Sequence, residues 1–199
     1  MSAPARVLLF LKAPRPGTVK TRLATELGTE AATALYRRLA ERQIAAVHAS
    51  GLPLELHYTP TDAEPELRAW LGDTAGRYIP QCEGDLGARL AHATALAFAD
   101  GAARLALIGA DCPALDAARL QSAFAALATA DAVFGPARDG GYYLLALDAP
   151  HLDLFRDIPW STADTLHVSL ARAAGLRTAL LPEEEDIDDL SSLRRHPTL

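Results

Sequence analysis

Residues 104–115 read RLALIGADCPAL, and the fold follows from this stretch. Leu105, Ala106, Leu107 and Ile108 form a short uninterrupted apolar run, the pattern of a strand buried on both faces. Gly109 and Pro113 then frame a tight turn around Asp111, and Asp116 opens a helix as its N-cap. A buried strand that turns directly into a helix is the repeating unit of an open α/β sheet, in which ligands gather beyond the carboxyl ends of the parallel strands. Asp111 therefore stands where chemistry is to be sought. A carboxylate held there suits Mg2+ or Mn2+ already carrying diphosphate oxygens; capping of its own turn is the plainer reading.

The same alternation extends in both directions. Strand-like runs at 6–11, 53–59, 77–80, 104–109, 132–136, 142–147 and 177–181 alternate with alanine- and leucine-rich helical segments at 29–49, 64–71, 86–99, 116–128 and 163–174. Between AVFGPA and YYLLAL, Asp139, Gly140 and Gly141 form a turn with two permissive glycines, so one pair of strands is antiparallel. The expected fold is α/β and Rossmann-like, three layers with a mixed, mostly parallel sheet and helices on both faces. One domain is expected across residues 1–199.

Half of the 199 residues are apolar, enough for one packed core. A net charge of −6 with a single short basic cluster argues against a nucleic-acid partner and for a small anion. The first apolar run has about five residues, short of a signal segment and of the roughly 20 needed to cross a bilayer, so no membrane partner is expected. Cys82 and Cys112 lack CxxC spacing and a disulfide framework, which fits a reducing, cytoplasmic compartment. No histidine stands at a spacing that would make Cys112 a nucleophile.

Directly after the first strand comes KAPRPGTVKTRL, residues 12–23, which gathers Lys12, Arg15, Lys20 and Arg22 around two prolines and Gly17. The prolines stiffen the segment and exclude a helix, while Gly17 lets backbone N–H groups approach an anion. Arginine forks and lysine point charges match phosphate oxygens. The segment is not a Walker A loop, because Val19 occupies the place of the glycine before the lysine. A phosphate cradle and a solvated basic turn are the two readings, and the position after the first strand favours the cradle, with Lys20 and Arg22 foremost.

Three further segments carry candidates. PEEEDIDDLSSL, residues 182–193, crowds acidic residues around Ile187; Glu183, Glu184 and Glu185 are expected at the surface, whereas Asp186 or Asp188 can face the cleft as a metal ligand. A helix N-terminus accounts for the acids equally well. The Asp139, Gly140, Gly141 turn lets a sugar or base approach the backbone while Asp139 accepts bonds from hydroxyls. QCEGDLGARL sets Gly84 and Asp85 at a helix start and Arg89 one turn inside; Asp85 as a cap is the plain reading, nucleotide contact the functional one. Trp160 and Ser161 in DIPWST are packing and capping residues or the lining of an acceptor pocket.

Taken in order, KAPRPGTVKTRL, QCEGDLGARL, IGADCPAL, GPARDGGYYLLAL, DIPWST and DIDDLSSL resemble the bacterial GT-A-type, nucleotide-diphospho-sugar-transferase-like family, some of whose members are linked to arsenosugar biosynthesis. The basic loop is similar, more faintly, to that of phospholactate guanylyltransferase-type nucleotidyltransferases. The resemblance implies a GT-A fold and a metal held by Asp111 and Asp188. It implies phosphate contacts from Lys20, Arg22 and Lys12, and contact of Asp139 and Gly141 with the transferred group. The chain departs from the family where Asp189-Leu190-Ser191-Ser192-Leu193 follows Asp188, and GADCP carries one carboxylate rather than an Asp-x-Asp pair.

Three functions stay open on the sequence. One is glycosyl transfer from a nucleotide sugar to a small-molecule acceptor, with Asp111, Asp139 and Lys20 as the catalytic candidates and Mg2+ or Mn2+ as cofactor. A second is nucleotidyl transfer from an NTP to a phosphorylated acceptor with loss of pyrophosphate. A third is a non-catalytic nucleotide-binding module. The resemblance favours the first; the oligomeric state is not legible.

Overall fold

A computed structural model describes residues 4–196. Strands β1 (Ala5–Lys12), β2 (Leu54–Thr59), β3 (Arg77–Pro80), β4 (Arg104–Ile108), β5 (Ala132–Pro136), β6 (Tyr142–Leu147) and β7 (Thr178–Leu180) form one seven-stranded sheet in the order β3-β2-β1-β4-β6-β5-β7. Every neighbouring pair is parallel except the two made by β6, which runs antiparallel to β4 and β5. The expected mixed, mostly parallel sheet is therefore present, with the antiparallel strand produced by the Asp139 turn.

Both faces of the sheet are covered. Val7, Leu9 and Leu11 point from β1 into a layer built by helices α2 (Thr29–Ser50), α3 (Glu64–Leu71) and α5 (Ala117–Ala126). Leu8 points the other way, with Leu105, Leu107 and Phe134, against α4 (Leu86–Ala99), the short 3-10 turn Leu152–Phe155 and α6 (Thr165–Arg172). This is why the strands read as continuous apolar runs rather than as alternating ones: each residue faces a covered layer.

Of two further short helices, the first was not expected and the second fits the helix-N-terminus reading of the acidic run. Helix α1 (Thr21–Leu27) begins inside the basic segment, where the prolines were expected to exclude one. Their restriction reaches only their own positions and the residue before each, and Leu23 beyond them is drawn into a small core with Leu35, Leu39 and Ile187. Helix α7 (Leu190–Arg195) follows the acidic run, capped by Asp189 in a reciprocal capping box with Ser192. Glu184 and Glu185 are corrected as well: both are partly buried, Glu184 paired with Arg119 and Glu185 with Arg195. Strand-like hydrogen bonding of Glu184 beside Ala137 draws them in.

Away from the cleft, Glu55 is buried on β2, where Arg6 Nη1 donates to it at 2.7 Å and His57 Nε2 lies 3.2 Å away. Burial alone would raise the Glu55 pKa, but the bonds from His57 and Arg6 outweigh it and hold the carboxyl below its usual range. Such a group stabilises the fold above its unfolded pKa, near 4.3, and that contribution is lost as pH falls through the lower folded value. Arg6→Met is expected to cost about 2 kcal/mol at pH 7, and the deficit should shrink below about pH 4, where the wild type loses this contribution too. Urea unfolding at the two pH values measures both; a deficit independent of pH would remove Glu55 as its source.

Candidate active site

The carboxyl ends of β1 and β4 and the start of β6 meet at one edge of the sheet, and the predicted segments converge there. Asp111 follows β4 through Gly109 and Ala110, and the carbonyl oxygen of Asp111 accepts the N–H of Ile187 at 3.1 Å. That bond, with Ile187 fully buried, fastens the C-terminal segment across the end of the sheet and sets Asp186 and Asp188 on either side of it. Asp188 is held from behind, its N–H donating to Ser192 Oγ at 3.1 Å. The departure after Asp188 thus supplies the hydroxyl that fixes it.

Lys20 joins the two ends of the chain. Its ammonium lies 2.9 Å from Asp111 Oδ1 and donates to Asp188 Oδ1 at 2.8 Å, with only 5% of the lysine side chain exposed. Burial alone would lower its pKa; the charges of Asp111 and Asp188 reverse this and keep the ammonium protonated above its ordinary range. The backbone of Lys20 is left-handed (φ 48°), a strained conformation for a side chain of this kind, which aims it into the cleft rather than along α1. Tyr36 supports the same corner, its hydroxyl accepting the Lys12 N–H at 2.7 Å and donating to the Lys12 carbonyl.

Two adjoining cavities open here. The outer, of about 660 Å³, takes in Lys12, Lys20, Arg22 and Arg89 together with Gln81 and Tyr36. The inner, of about 260 Å³, is walled by Phe10, Leu90, Leu107, Tyr142 and Trp160, with Asp186 at its side. Asp111, Asp139, Asp188 and Ser161 line both and form the divide.

The remaining predicted residues fall into three groups. Gly141 and Trp160 line the inner cavity. Gly140 lies behind the surface, its left-handed backbone against the main chain of Ala163, and Asp139 Oδ1 accepts the Gly141 N–H at 2.8 Å to close the turn. Gly17, Gly84 and Asp85 line neither cavity: Gly17 forms a bare turn, Gly84 offers its carbonyl to Arg89, and Asp85 caps α4 through Ala88 N–H. Arg15 turns away to Glu66 and Asp62 on and beside α3. Cys112 is buried and its thiol is pushed up to about 12 by burial and by Asp186, the opposite of an activated nucleophile.

Phe10, Tyr36 and Gln81 went unnoticed in the sequence because each sits in an ordinary strand or helix pattern. Asp186, one of the two aspartates expected to face the cleft, does so. Burial first, then the charges of Asp111, Asp188 and Asp139, push its carboxyl up to about 7. Its Oδ1 is buried with no hydrogen-bond donor.

The cleft fits a hard divalent cation on the chemistry of its oxygens. Asp111 Oδ1 has the Lys20 charge nearby but no hydrogen-bond donor, and Asp186 Oδ1 has none. Among the described residues no three His, Cys, Asp or Glu form a ready cage. Mg2+ needs none, since it is commonly held by one or two carboxylates plus substrate phosphates. Asp111 and Asp188 meet that requirement. No helix among the described residues is long and apolar enough to cross a membrane.

Comparison with known proteins agrees with the architecture. The family model described as "Uncharacterized protein conserved in bacteria (DUF2064)" matches residues 41–162. Among solved structures, a candidate nucleotide-diphospho-sugar transferase from Desulfovibrio desulfuricans G20 is 34% identical over 96% of this chain and 85% of its own, with a TM-score of 0.90. The 4-diphosphocytidyl-2C-methyl-D-erythritol synthase of Anaerococcus prevotii DSM 20548 shares the fold at 12% identity and a TM-score of 0.63, covering 98% of this chain and 96% of that one. Glucosyl-3-phosphoglycerate synthase from Mycobacterium tuberculosis, solved with Mn2+, UDP and glucosyl-3-phosphoglycerate, does so at 11% identity and 0.59, covering 92% and 71%. These neighbours are transferases. No curated protein matches the chain.

Proposed function

The chain belongs to the DUF2064 family, and from that premise and the geometry of its cleft we propose that it transfers a glycosyl group from a nucleotide sugar to a small-molecule acceptor. The observation that carries the reading is the separation of charge: the cleft's cations all lie in the outer cavity, and a wall of carboxylates divides it from an apolar inner one. Lys12, Arg22 and Arg89 hold the diphosphate in the outer cavity, joined by Lys20, whose ammonium donates to Asp188, lies against Asp111 and keeps N–H groups to spare. The sugar then lies across the divide, with Asp139 accepting bonds from its hydroxyls through the oxygen not given to Gly141. In the transfer the bond from the anomeric carbon to the diphosphate breaks, the acceptor oxygen bonds to that carbon, and Asp139 takes the acceptor's hydroxyl proton. Asp111 and Asp188 would hold Mg2+ or Mn2+, which when bound stabilises charge on the departing diphosphate.

We take residues 1–199 to work as one unit, because the site draws on segments from β1 to the approach to α7. We place the reaction in the cytoplasm, to which the two free cysteines are suited.

One observation favours a second reading. Four cations in the outer cavity match a triphosphate, as nucleotidyl transfer would require. Purified protein with Mg2+ or Mn2+ separates the two: nucleotide sugars should release nucleoside diphosphate, whereas release of pyrophosphate from NTPs with phosphorylated acceptors would establish the second. Tight nucleotide binding with neither product would leave a binding module. Lys20→Ala should weaken nucleoside diphosphate binding by about tenfold while leaving nucleoside binding nearly unchanged, as calorimetry can measure. Equal losses for both would remove the phosphate cradle.

A further inference from the structure

The inner cavity has a charge character the outer one lacks. No lysine or arginine lines it, and Asp111, Asp139, Asp186 and Asp188 all do. The four cations of the cleft stand on the other side of the divide, in the outer cavity. Asp186 is the inner cavity's own: it does not line the outer one, and its buried Oδ1 receives no hydrogen bond. Neither the Lys20 ammonium nor a divalent cation between Asp111 and Asp188 makes this space positive. Together they supply three positive charges against the four carboxylates that line it.

Most of the remaining wall is apolar, broken by the hydroxyl side chains of Ser161, Thr162 and Thr165. Phe10, Leu90 and Leu107 rise from β1, α4 and β4, and Trp160 stands edge-on to Tyr142 with ring centroids 6.2 Å apart. Trp160 packs closely over Gly87, where a Cβ would come within 2.7 Å of the indole Nε1. At about 260 Å³ the space suits one monosaccharide-sized group, with C–H faces toward the aromatics and hydroxyls toward Asp139 and Asp186.

We propose that the inner cavity selects donors whose transferred group is an uncharged sugar and rejects those carrying a carboxylate or phosphate on that group. This rests on the proposed function, since a nucleoside diphosphate in the outer cavity is what delivers the sugar to the inner one. An added anion would lose its water against four carboxylates with no lysine or arginine lining the cavity to receive it.

The test compares donors that differ at one carbon. Affinities are first measured for UDP, GDP, ADP, CDP and dTDP with Mn2+, and the sugar pair is then built on the diphosphate that binds best; for uridine it is UDP-glucose against UDP-glucuronate. UDP-glucose is expected to bind at least about tenfold more tightly than UDP-glucuronate, and Asp186→Asn with Asp139→Asn should narrow that gap. If the diphosphate binds but the acidic sugar matches or exceeds the neutral one, the selectivity is wrong and the nucleotide reading stands. If none of the five diphosphates binds, the proposed function fails and this inference with it.

Discussion

Asp111→Asn should reduce turnover by about 10²- to 10³-fold while the protein stays folded. The substitution keeps the shape of the side chain and removes its charge. The backbone bond from Ile187 N–H to the Asp111 carbonyl is untouched, so the C-terminal segment keeps its place. What goes is one of the two carboxylates that bracket Lys20, at 2.9 Å, and with it one of the two oxygen ligands offered to a divalent cation. Nucleotide affinity should then lose most of its dependence on Mg2+ or Mn2+. Asp188→Asn should act in the same direction, and the double variant should cost less than the product of the two, because both residues act on one lysine and one cation. Thermal melting alongside steady-state kinetics distinguishes this from unfolding. Retention of turnover within tenfold and of metal-dependent nucleotide binding would show that Asp111 is not at the centre of the site.

Gly140→Ala should be among the most damaging substitutions outside the carboxylates. Gly140 has φ +88°, and a Cβ there would fall 2.1 Å from the carbonyl oxygen of Ala163 and 2.6 Å from its carbonyl carbon. Both are main-chain atoms that cannot swing aside as a side-chain tip would. The Gly140 carbonyl also accepts the N–H of Leu166 at 2.8 Å, so the turn and the start of α6 are one assembly. Left-handed strain and the clash together are expected to cost about 3 kcal/mol, roughly 10 °C in melting temperature for a chain of this size. Surviving protein should transfer poorly, since Asp139, Ser161 and Trp160 all hang on this contact. Gly17→Ala provides the comparison: its φ is +81° but nothing lies within 4 Å of the added carbon, so the loss should be only about 1 kcal/mol. Equal melting temperatures for the two variants would mean the docking of the turn onto Ala163 contributes nothing.

The inner cavity bears on how the two transfer reactions are weighed. A phosphorylated acceptor, which the nucleotidyl reading needs, would place an anion beside Asp139 and Asp186 with no cation among the residues lining that space. A neutral sugar faces no such penalty. The outer cavity alone does not discriminate, because lysines and arginines that grip a diphosphate also grip a triphosphate.

Most of the architecture was legible in the chain itself. RLALIGADCPAL and its sister runs alternate with helical segments, and every predicted strand and long helix is present with ends within two residues of those expected. The antiparallel β6 followed from two glycines, and the N-caps Asp85 and Asp116 from residue type and place. These are local matters, settled by periodicity and by backbone freedom at a few positions. Helix α1 was missed because its stability comes from Leu23 meeting Ile187, far away in sequence.

The site divides along the same line. Sequence alone determined which residues carry charge and that Asp111, Lys20 and the Asp139 turn lie at the carboxyl edge of the sheet. Only the tertiary structure decided how they are shared out. Arg15 and Lys20 are cations of one basic segment, yet Arg15 pairs with Glu66 away from the cleft and Lys20, the one favoured on the sequence, is buried between Asp111 and Asp188. Asp186 and Asp188 flank one isoleucine, yet one carboxylate is pushed up to about 7 and walls the inner cavity while the other receives Lys20. Charge belongs to a residue type, but its pKa, its partner and the side of the cleft it faces depend on burial and on groups brought near from distant parts of the chain.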